Sequence, residues 1–127
     1  MPFPTTEPYI EAAERELGVK LPQEYRERLL ASNGGELSTA DDDWQVFPVF
    51  DTSNRKTVGR SAGHIVAENQ SARTWAGFPM GAIAIAGNGE GDLLVLLAEG
   101  RAGRLNAQVN VWNHETLKCT PAALNYG

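Results

Sequence analysis

The stretch IEAAERELGVKLPQEY, residues 10–25, carries the pattern that decides how the fold begins. Its apolar residues recur at helical spacing on one face, at Ile10, Ala13 and Leu17. We therefore predict a first helix from about residue 9 to residue 17. Gly18 follows as a residue that can adopt the left-handed conformation with which helices commonly end.

A second short helix follows at once. Pro22 suits a first helical turn, where its missing N–H costs little. Tyr25 and Leu29 are four residues apart and form the buried stripe of this helix. Asn33-Gly34-Gly35 should end it, because asparagine and glycine tolerate positive φ angles. Two helices joined by a tight turn are therefore predicted to open the domain.

The rest of the chain is predicted to be mainly strands, which span residues 44–50, 82–86, 93–97 and 108–112. Pro48 argues that the first of them lies at an edge or a bulge. We predict a polar loop at residues 51–60, and then a third helix over residues 62–69 with Ser61 as its cap. A last helical turn is expected to start at Thr120-Pro121.

The order of these elements predicts the fold class. Helices come first and strands mostly follow, without the βαβ alternation that builds a parallel sheet. We predict a single α+β domain over residues 1–127, with a mostly antiparallel sheet, two N-terminal helices and a further helix packed on it. The predicted core contains Leu17, Leu21, Tyr25, Leu29, Ile83, Ile85, Val95 and Val111.

The composition disfavours several kinds of partner and compartment. With 16 acidic and 11 basic residues the formal charge is −5, which disfavours nucleic acid and anionic membranes as partners. The longest apolar run, Leu93 to Ala98, is too short to cross a membrane. The N-terminus lacks the basic and apolar regions of a signal peptide. A single cysteine, Cys119, fits a reducing compartment, so we expect a cytoplasmic protein.

A series of short motifs in a fixed order resembles the SUKH superfamily, the Smi/Knr-like proteins. The first group of motifs comprises Glu14, Leu17-Gly18, Leu21-Pro22, Tyr25 and Asn33-Gly34-Gly35. Later matches are the apolar strand, glycine-rich turn and second strand at residues 83–96, which include Gly91, and the strand that ends in Trp112 before Asn113-His114-Glu115. The resemblance implies a SUKH-like fold in which these residues are structural. The chain departs from the family where its closing helix is short or missing.

The resemblance also implies a class of function. Bacterial members are largely regarded as immunity proteins that bind and neutralise protein toxins, often nucleases. We therefore expect a non-enzymatic domain that binds a protein, with a basic toxin domain as its partner. Two alternatives stay open, namely a regulatory scaffold or adaptor of the Smi/Knr type and a small hydrolase or ligand-binding enzyme. The sequence does not predict the oligomeric state.

Two acidic segments are the candidate partner-binding residues. Asp41, Asp42 and Asp43 stand directly before Trp44, a residue type enriched at interface centres, and an exposed Trp44 would anchor a partner. Glu90 and Asp92 lie in the segment GNGEGD, which we interpret as a turn, because its acidic side chains would repel phosphate and no helix follows. A solvated acidic loop is the competing interpretation. The next candidate surface is the Gln108, Asn110 and Trp112 face of the late strand.

No constellation predicts catalysis or metal binding. His64, His114 and Cys119 are isolated in the sequence and show neither ligand spacing nor the order of a catalytic triad. The aspartate triplet lacks the alternating ligands and glycine of a calcium loop. We therefore predict no catalytic residue, no metal and no cofactor.

Overall fold

The computed structural model describes residues 4–39, 42–99 and 105–123. Within these ranges the helices are Glu7–Leu17 (α1), Gln23–Ala31 (α2), Arg55–Arg60 (α3) and Ile65–Ala72 (α4). The strands are Glu36–Ser38 (β1), Asp43–Val46 (β2), Ile83–Gly87 (β3), Leu93–Ala98 (β4), Leu105–Trp112 (β5) and Cys119–Pro121 (β6). They form one sheet in the order β1 to β6, and every neighbouring pair is antiparallel. The predicted α+β class with a mostly antiparallel sheet is confirmed.

Helix α1 ends, and α2 begins, at the residues that the sequence predicts. Gly18 has a φ of +74° and its N–H donates to the Glu14 carbonyl at 2.8 Å, and α2 starts directly after Pro22. Glu14 is buried, and its Oε2 accepts a hydrogen bond from the Leu21 N–H at 2.7 Å. The same oxygen lies 3.5 Å from Arg26 Nε. One buried carboxylate therefore fixes the turn between the two helices.

Apolar side chains pack on both faces of the sheet. The larger cluster lies between the helices and the sheet, and the smaller one surrounds Trp112 on the opposite face. Seven of the eight predicted core residues are buried, and the eighth, Val111, is only half-buried. Val111 packs at the margin of the larger cluster and also lines an open groove beside β6, which explains its exposure.

The second strand is shorter than predicted, because the chain leaves the sheet before Pro48. The departure would leave the edge of β3 unpaired inside the core. Asn69, on α4, fills that place: its Nδ2 donates to the Ala84 carbonyl at 2.9 Å and its Oδ1 accepts the Ala84 N–H at 2.7 Å. Because buried backbone groups must be hydrogen-bonded, this amide side chain substitutes for a strand residue.

Asn33 pairs in the same way with the segment around Pro48, where the chain leaves the sheet. Its Nδ2 donates to the Val49 carbonyl and its Oδ1 accepts the Val49 N–H, both at 2.9 Å. Tyr25 supports the segment as well, donating its hydroxyl to the Phe47 carbonyl at 2.8 Å. The positive φ angles after α2 fall on the two glycines, at +114° and +84°. Asn33 thus contributes its side chain rather than a special backbone conformation.

The segment between β2 and β3 differs from two of the predictions. The predicted polar loop at residues 51–60 contains α3, which begins with a capping box in which Asn54 and Thr57 each accept the other's backbone N–H. Ser61 does not cap the third predicted helix. It lies at the C-terminal end of α3 and donates to the Thr57 carbonyl at 2.6 Å. The following helix begins at Ile65, and His64 caps it.

The C-terminal prediction is also wrong. Thr120-Pro121 belongs to β6 and not to a helical turn, since Thr120 pairs with Val111 in the antiparallel register. Proline is compatible with this position because an edge strand leaves one side without a ladder partner. Strand β1, only three residues long, was not predicted either.

We predict that Leu29→Ala destabilises the fold strongly. Leu29 is fully buried, so its truncation should cost about 2–5 kcal/mol of unfolding free energy through lost burial and the cavity left behind. Urea unfolding measures the loss. Leu30→Ala, at a half-buried position of the same helix, is the matched control and should cost clearly less. Equal losses in the two variants would contradict the packing.

We also predict that Asn69→Ala unfolds more easily than an ordinary helix-surface variant. It leaves two backbone groups of Ala84 without partners, at about 1–3 kcal/mol for each buried group. Ser71→Ala, at an exposed position of α4, is the control. Asn69→Asp keeps the acceptor and loses the donor, so it should be destabilised at neutral pH as well. Equal melting temperatures for all three variants would contradict the role of Asn69 as a substitute for a strand residue.

Candidate functional site

Two turns at one edge of the sheet bring the predicted acidic residues together. The β1–β2 turn carries Asp42, and the β3–β4 turn carries Asp92. Asn88 joins them, because its Nδ2 donates to Asp42 Oδ2 at 3.0 Å and to Asp92 Oδ2 at 3.4 Å. Asn88 and Asp42 are 46 positions apart in the chain. The fold therefore merges two separate acidic segments into one surface.

Three carboxylates of this surface are exposed, those of Asp42, Asp43 and Glu90, and we call them the acidic edge. Asp42 Oδ1 accepts the Asp43 N–H at 2.9 Å, and Asn88 Oδ1 accepts the Glu90 N–H at 2.9 Å. These bonds shape the two turns. None of the three carboxylates forms an ion pair with any part of the chain that the structure describes. Their negative charge therefore faces solvent.

Asp92 has a structural task in this arrangement. Its Oδ1 accepts the His114 backbone N–H at 3.0 Å and lies 2.6 Å from His114 Nδ1. Burial acts to raise the pKa of Asp92, but the hydrogen bonds and the charge of His114, with a contribution from Asn88, outweigh it and lower that pKa. Asp92 thus ties the β3–β4 turn to the β5–β6 hairpin.

Gly91 is required by the same contact. Its φ is +105°, and a Cβ placed there would lie 3.0 Å from the His114 ring. An L-residue would therefore be strained in its backbone and would crowd the histidine. The sequence prediction of a turn at GNGEGD agrees with this geometry, since Asn88 N–H also donates to the Asp92 carbonyl at 3.3 Å.

Trp44 does not contribute an exposed anchor to this surface. The side chain is 2 % exposed and packs in the larger core cluster, and its Nε1 donates to Thr39 Oγ1 at 3.0 Å. The expectation that Trp44 could hold a partner applied only to an exposed ring and is corrected here. In an alternating strand, the residue after an outward aspartate points inward. Asp41, the first residue of the triplet, lies outside the described residues.

The alternative surface, the β5 face of Gln108, Asn110 and Trp112, is largely buried. Trp112 is 1 % exposed, with its ring centroid 6.0 Å from that of Trp75 and 5.5 Å from that of Phe78. Asn110 is buried too, and only Gln108 is exposed. Trp75 and Phe78 pack over Trp112, so among the three residues of this face only Gln108 is accessible to a partner.

A groove of about 480 Å³ runs from the acidic edge to β6. Its lining residues include Thr39, Asp42, Asp92, Val111, Asn113 and Thr120. Sequence reasoning missed the two residues that build this region, Asn88 and His114. A signal for Asn88 was its place at the start of a glycine-rich turn, where asparagine side chains often bond nearby backbone groups. The pairing of His114 with Asp92 depends on tertiary structure.

The isolated nucleophilic and basic residues keep separate structural roles. His64 Nδ1 accepts the Ala67 N–H at the start of α4, whereas His114 belongs to the Asp92 contact. Cys119 is half-buried, and burial raises the pKa of its thiol. Within residues 4–39, 42–99 and 105–123, no group of three or more His, Cys, Asp or Glu side chains could hold a metal ion. Over the same ranges, no helix has the length and hydropathy needed to cross a membrane.

Comparison with known families agrees with the resemblance noted in the sequence. The model of the SMI1 / KNR4 family (SUKH-1) matches residues 4–125. The chain belongs to this family. No curated protein and no solved structure matches the chain. In this SUKH-1 member, Glu14, Gly18, Tyr25 and Gly91 occupy structural positions, as described above.

We predict that Asp92 contributes to the acid sensitivity of the fold. Its pKa is lowered in the folded state, so its stabilising effect is present above the unfolded aspartate pKa of about 3.9 and is lost as pH falls through the folded value. Asp92→Asn should therefore lower stability at pH 6 and lose less on acidification to pH 3 than the wild type does. Urea unfolding at both pH values measures this difference.

The control for this measurement is Asp43→Asn, which also removes one carboxylate. The Asp43 side chain accepts no hydrogen bond from the described residues. An identical pH response in the two variants would show that the response reflects overall charge and not the contact between Asp92 and His114.

Proposed function

We propose that this SUKH-1 protein is an immunity protein that neutralises a bacterial toxin by one-to-one binding and without catalysis. The observation that supports it is the acidic edge, where Asn88 holds two turns together and Asp42, Asp43 and Glu90 face solvent without an ion pair to the described residues. The proposed partner is a basic protein domain such as a nuclease. The proposed place of action is the cytoplasm, where such a toxin would meet its substrate.

The mechanism follows from charge complementarity. A nuclease needs a basic cleft, because it must hold the phosphates of its substrate. An acidic protein surface that enters the cleft competes for the same positive charges. Such complementarity mainly accelerates association and weakens as salt is added. The net charge of −5 adds a longer-range attraction in the same direction.

Rigidity strengthens this mechanism. Asn88 fixes the β1–β2 turn against the β3–β4 turn, and the contact between Asp92 and His114 fixes the latter against the β5–β6 hairpin. Turns held by such contacts lose less conformational freedom on binding than a mobile loop does. A solvated acidic loop would not need these connections, and their presence supports the interpretation as a partner surface.

The first experiment identifies the partner. A toxin-bearing reading frame beside this one should encode a protein that co-purifies with this chain at a one-to-one ratio and loses its toxicity in the complex. A partner that is a cellular regulator, with no toxin, would instead favour the adaptor alternative. Turnover of a substrate by the purified chain would favour the enzyme alternative.

The second experiment tests the surface. We expect Asp42→Asn/Asp43→Asn/Glu90→Gln to slow association with the toxin and to flatten the dependence of the association rate on salt. Thermal stability should change little, because all three residues are exposed and Asp42→Asn keeps a side-chain oxygen that can accept from Asn88 Nδ2. Stopped-flow or surface-based kinetics from low to moderate salt provide the measurement.

The matched control changes the same net charge elsewhere. Glu11→Gln/Glu24→Gln/Glu99→Gln removes three exposed carboxylates that lie outside the acidic edge. Its association rate should fall less than that of the first variant. If both triple variants associate equally fast, only the net charge of the protein matters and the acidic edge is not the interface.

A further inference from the structure

A second concave surface lies between α1 and α4 and shares no residue with the acidic edge. It is an open groove of about 490 Å³, within the range of about 300–1,000 Å³ typical of ligand pockets. Its walls are mainly apolar. The groove is lined by Tyr9, Ala12, Ala13, Glu16, Phe50, Thr52, His64, Val66 and Gln70.

The groove exists because α1 presents small residues there. Ala12 and Ala13 leave space that larger side chains would fill, and Tyr9 and Val66 are half-buried on either side. Phe50 is 42 % exposed although it is large and apolar. Its ring packs against that of His64, with 4.9 Å between the centroids. An exposed aromatic wall beside an alanine floor suits a long, thin side chain.

The polar groups of the groove indicate the charge of its occupant. Glu16 is the one acidic residue that lines it, is exposed, and forms no ion pair within the described parts of the chain. Among the residues that the structure describes, no Lys or Arg lines the groove. His64 Nδ1 accepts the Ala67 N–H, so in the neutral ring the hydrogen is carried by Nε2. The charge complementary to this groove is therefore positive.

We propose that this groove receives a lysine or arginine side chain of a protein partner, with the apolar stem over Ala12 and the cationic head at Glu16. Long basic side chains combine an apolar stem with a charged tip, and a cation also gains from the face of an aromatic ring. Tyr9 and Phe50 supply such rings. The inference depends on the function proposed above only in taking the partner to be a protein.

Other occupants fit the groove less well. An anionic side chain would be repelled by Glu16, and a purely apolar one would remove water from that carboxylate without replacing its hydrogen bonds. A lysine or arginine satisfies both the apolar floor and the carboxylate. The groove therefore selects for a side chain with both properties.

The test uses a probe that does not require the toxin. Binding of the peptide Ac-Leu-Lys-Leu-NH2 to the full chain is followed by ¹⁵N NMR, with Ac-Leu-Gln-Leu-NH2 as the uncharged comparison. We expect weak binding with shift changes concentrated at Tyr9, Ala12, Phe50 and Val66. The lysine peptide should bind roughly two- to fivefold more tightly than the glutamine peptide, as an exposed ion pair would produce.

Two variants locate the contacts. Glu16→Gln should abolish the preference for lysine, and Ala12→Leu should fill the groove and weaken both peptides. Glu24→Gln and Ala31→Leu make the same changes at exposed positions of α2 and should leave binding unchanged. Far-ultraviolet circular dichroism and thermal unfolding verify that each variant is folded. Shift changes outside the groove, no binding, or equal affinities for the two peptides would overturn the proposal.

The outcomes separate this inference from the proposed function. If the peptides do not bind, the groove is not a site for basic side chains, but the proposal of toxin binding through the acidic edge is unaffected. If instead the peptide binds but the chain protects against no toxin, the groove proposal stands and the proposed immunity function is wrong. With a toxin in hand, Ala12→Leu should accelerate dissociation and leave the salt dependence of association unchanged, and an unchanged dissociation rate would show that this partner does not use the groove.

Discussion

The buried edge of β3 is the constraint on which the rest of the structure depends. Where β2 leaves the sheet before Pro48, the N–H and carbonyl of Ala84 are buried, and an unpaired backbone group there would cost about 1–3 kcal/mol. The Asn69 amide supplies a donor and an acceptor at the spacing of a neighbouring strand. Asn33 pairs in the same way with Val49. These two side chains allow the main chain to depart without breaking the hydrogen bonding of the core.

The departure of the chain creates the groove between α1 and α4. Because residues 47–52 turn away from the sheet, α4 can pack on β3 and contact α1, and Phe50 reaches the groove between these helices. At the other end of β2, an amide side chain again joins separate segments, because Asn88 donates to the carboxylates of Asp42 and Asp92 in two different turns. Amides suit this task since they carry donor and acceptor without the desolvation cost of a buried charge.

The sequence predicts what depends on local periodicity and backbone conformation. The α1–α2 pair, its glycine stop and most of the core follow from spacing alone, and the strands that are apolar on both faces follow from short apolar runs. The errors lie where tertiary contacts decide. Ser61 is an acceptable helix cap in isolation, yet the capping box of Asn54 and Thr57 starts a helix earlier. Similarly, an aromatic residue after three aspartates fits an interface, but strand alternation turns Trp44 inward.

The burial of Trp44 has a consequence for how binding is divided over the surface. Exposed carboxylates attract a basic partner over roughly a Debye length, about 8–10 Å at physiological salt, but their pairing in water contributes little to the lifetime of a complex. Slow dissociation requires buried apolar contact. The acidic edge offers none, whereas the groove offers the half-exposed ring of Phe50 over an alanine floor. On our proposals, the edge governs how fast a partner arrives and the groove governs how long it stays.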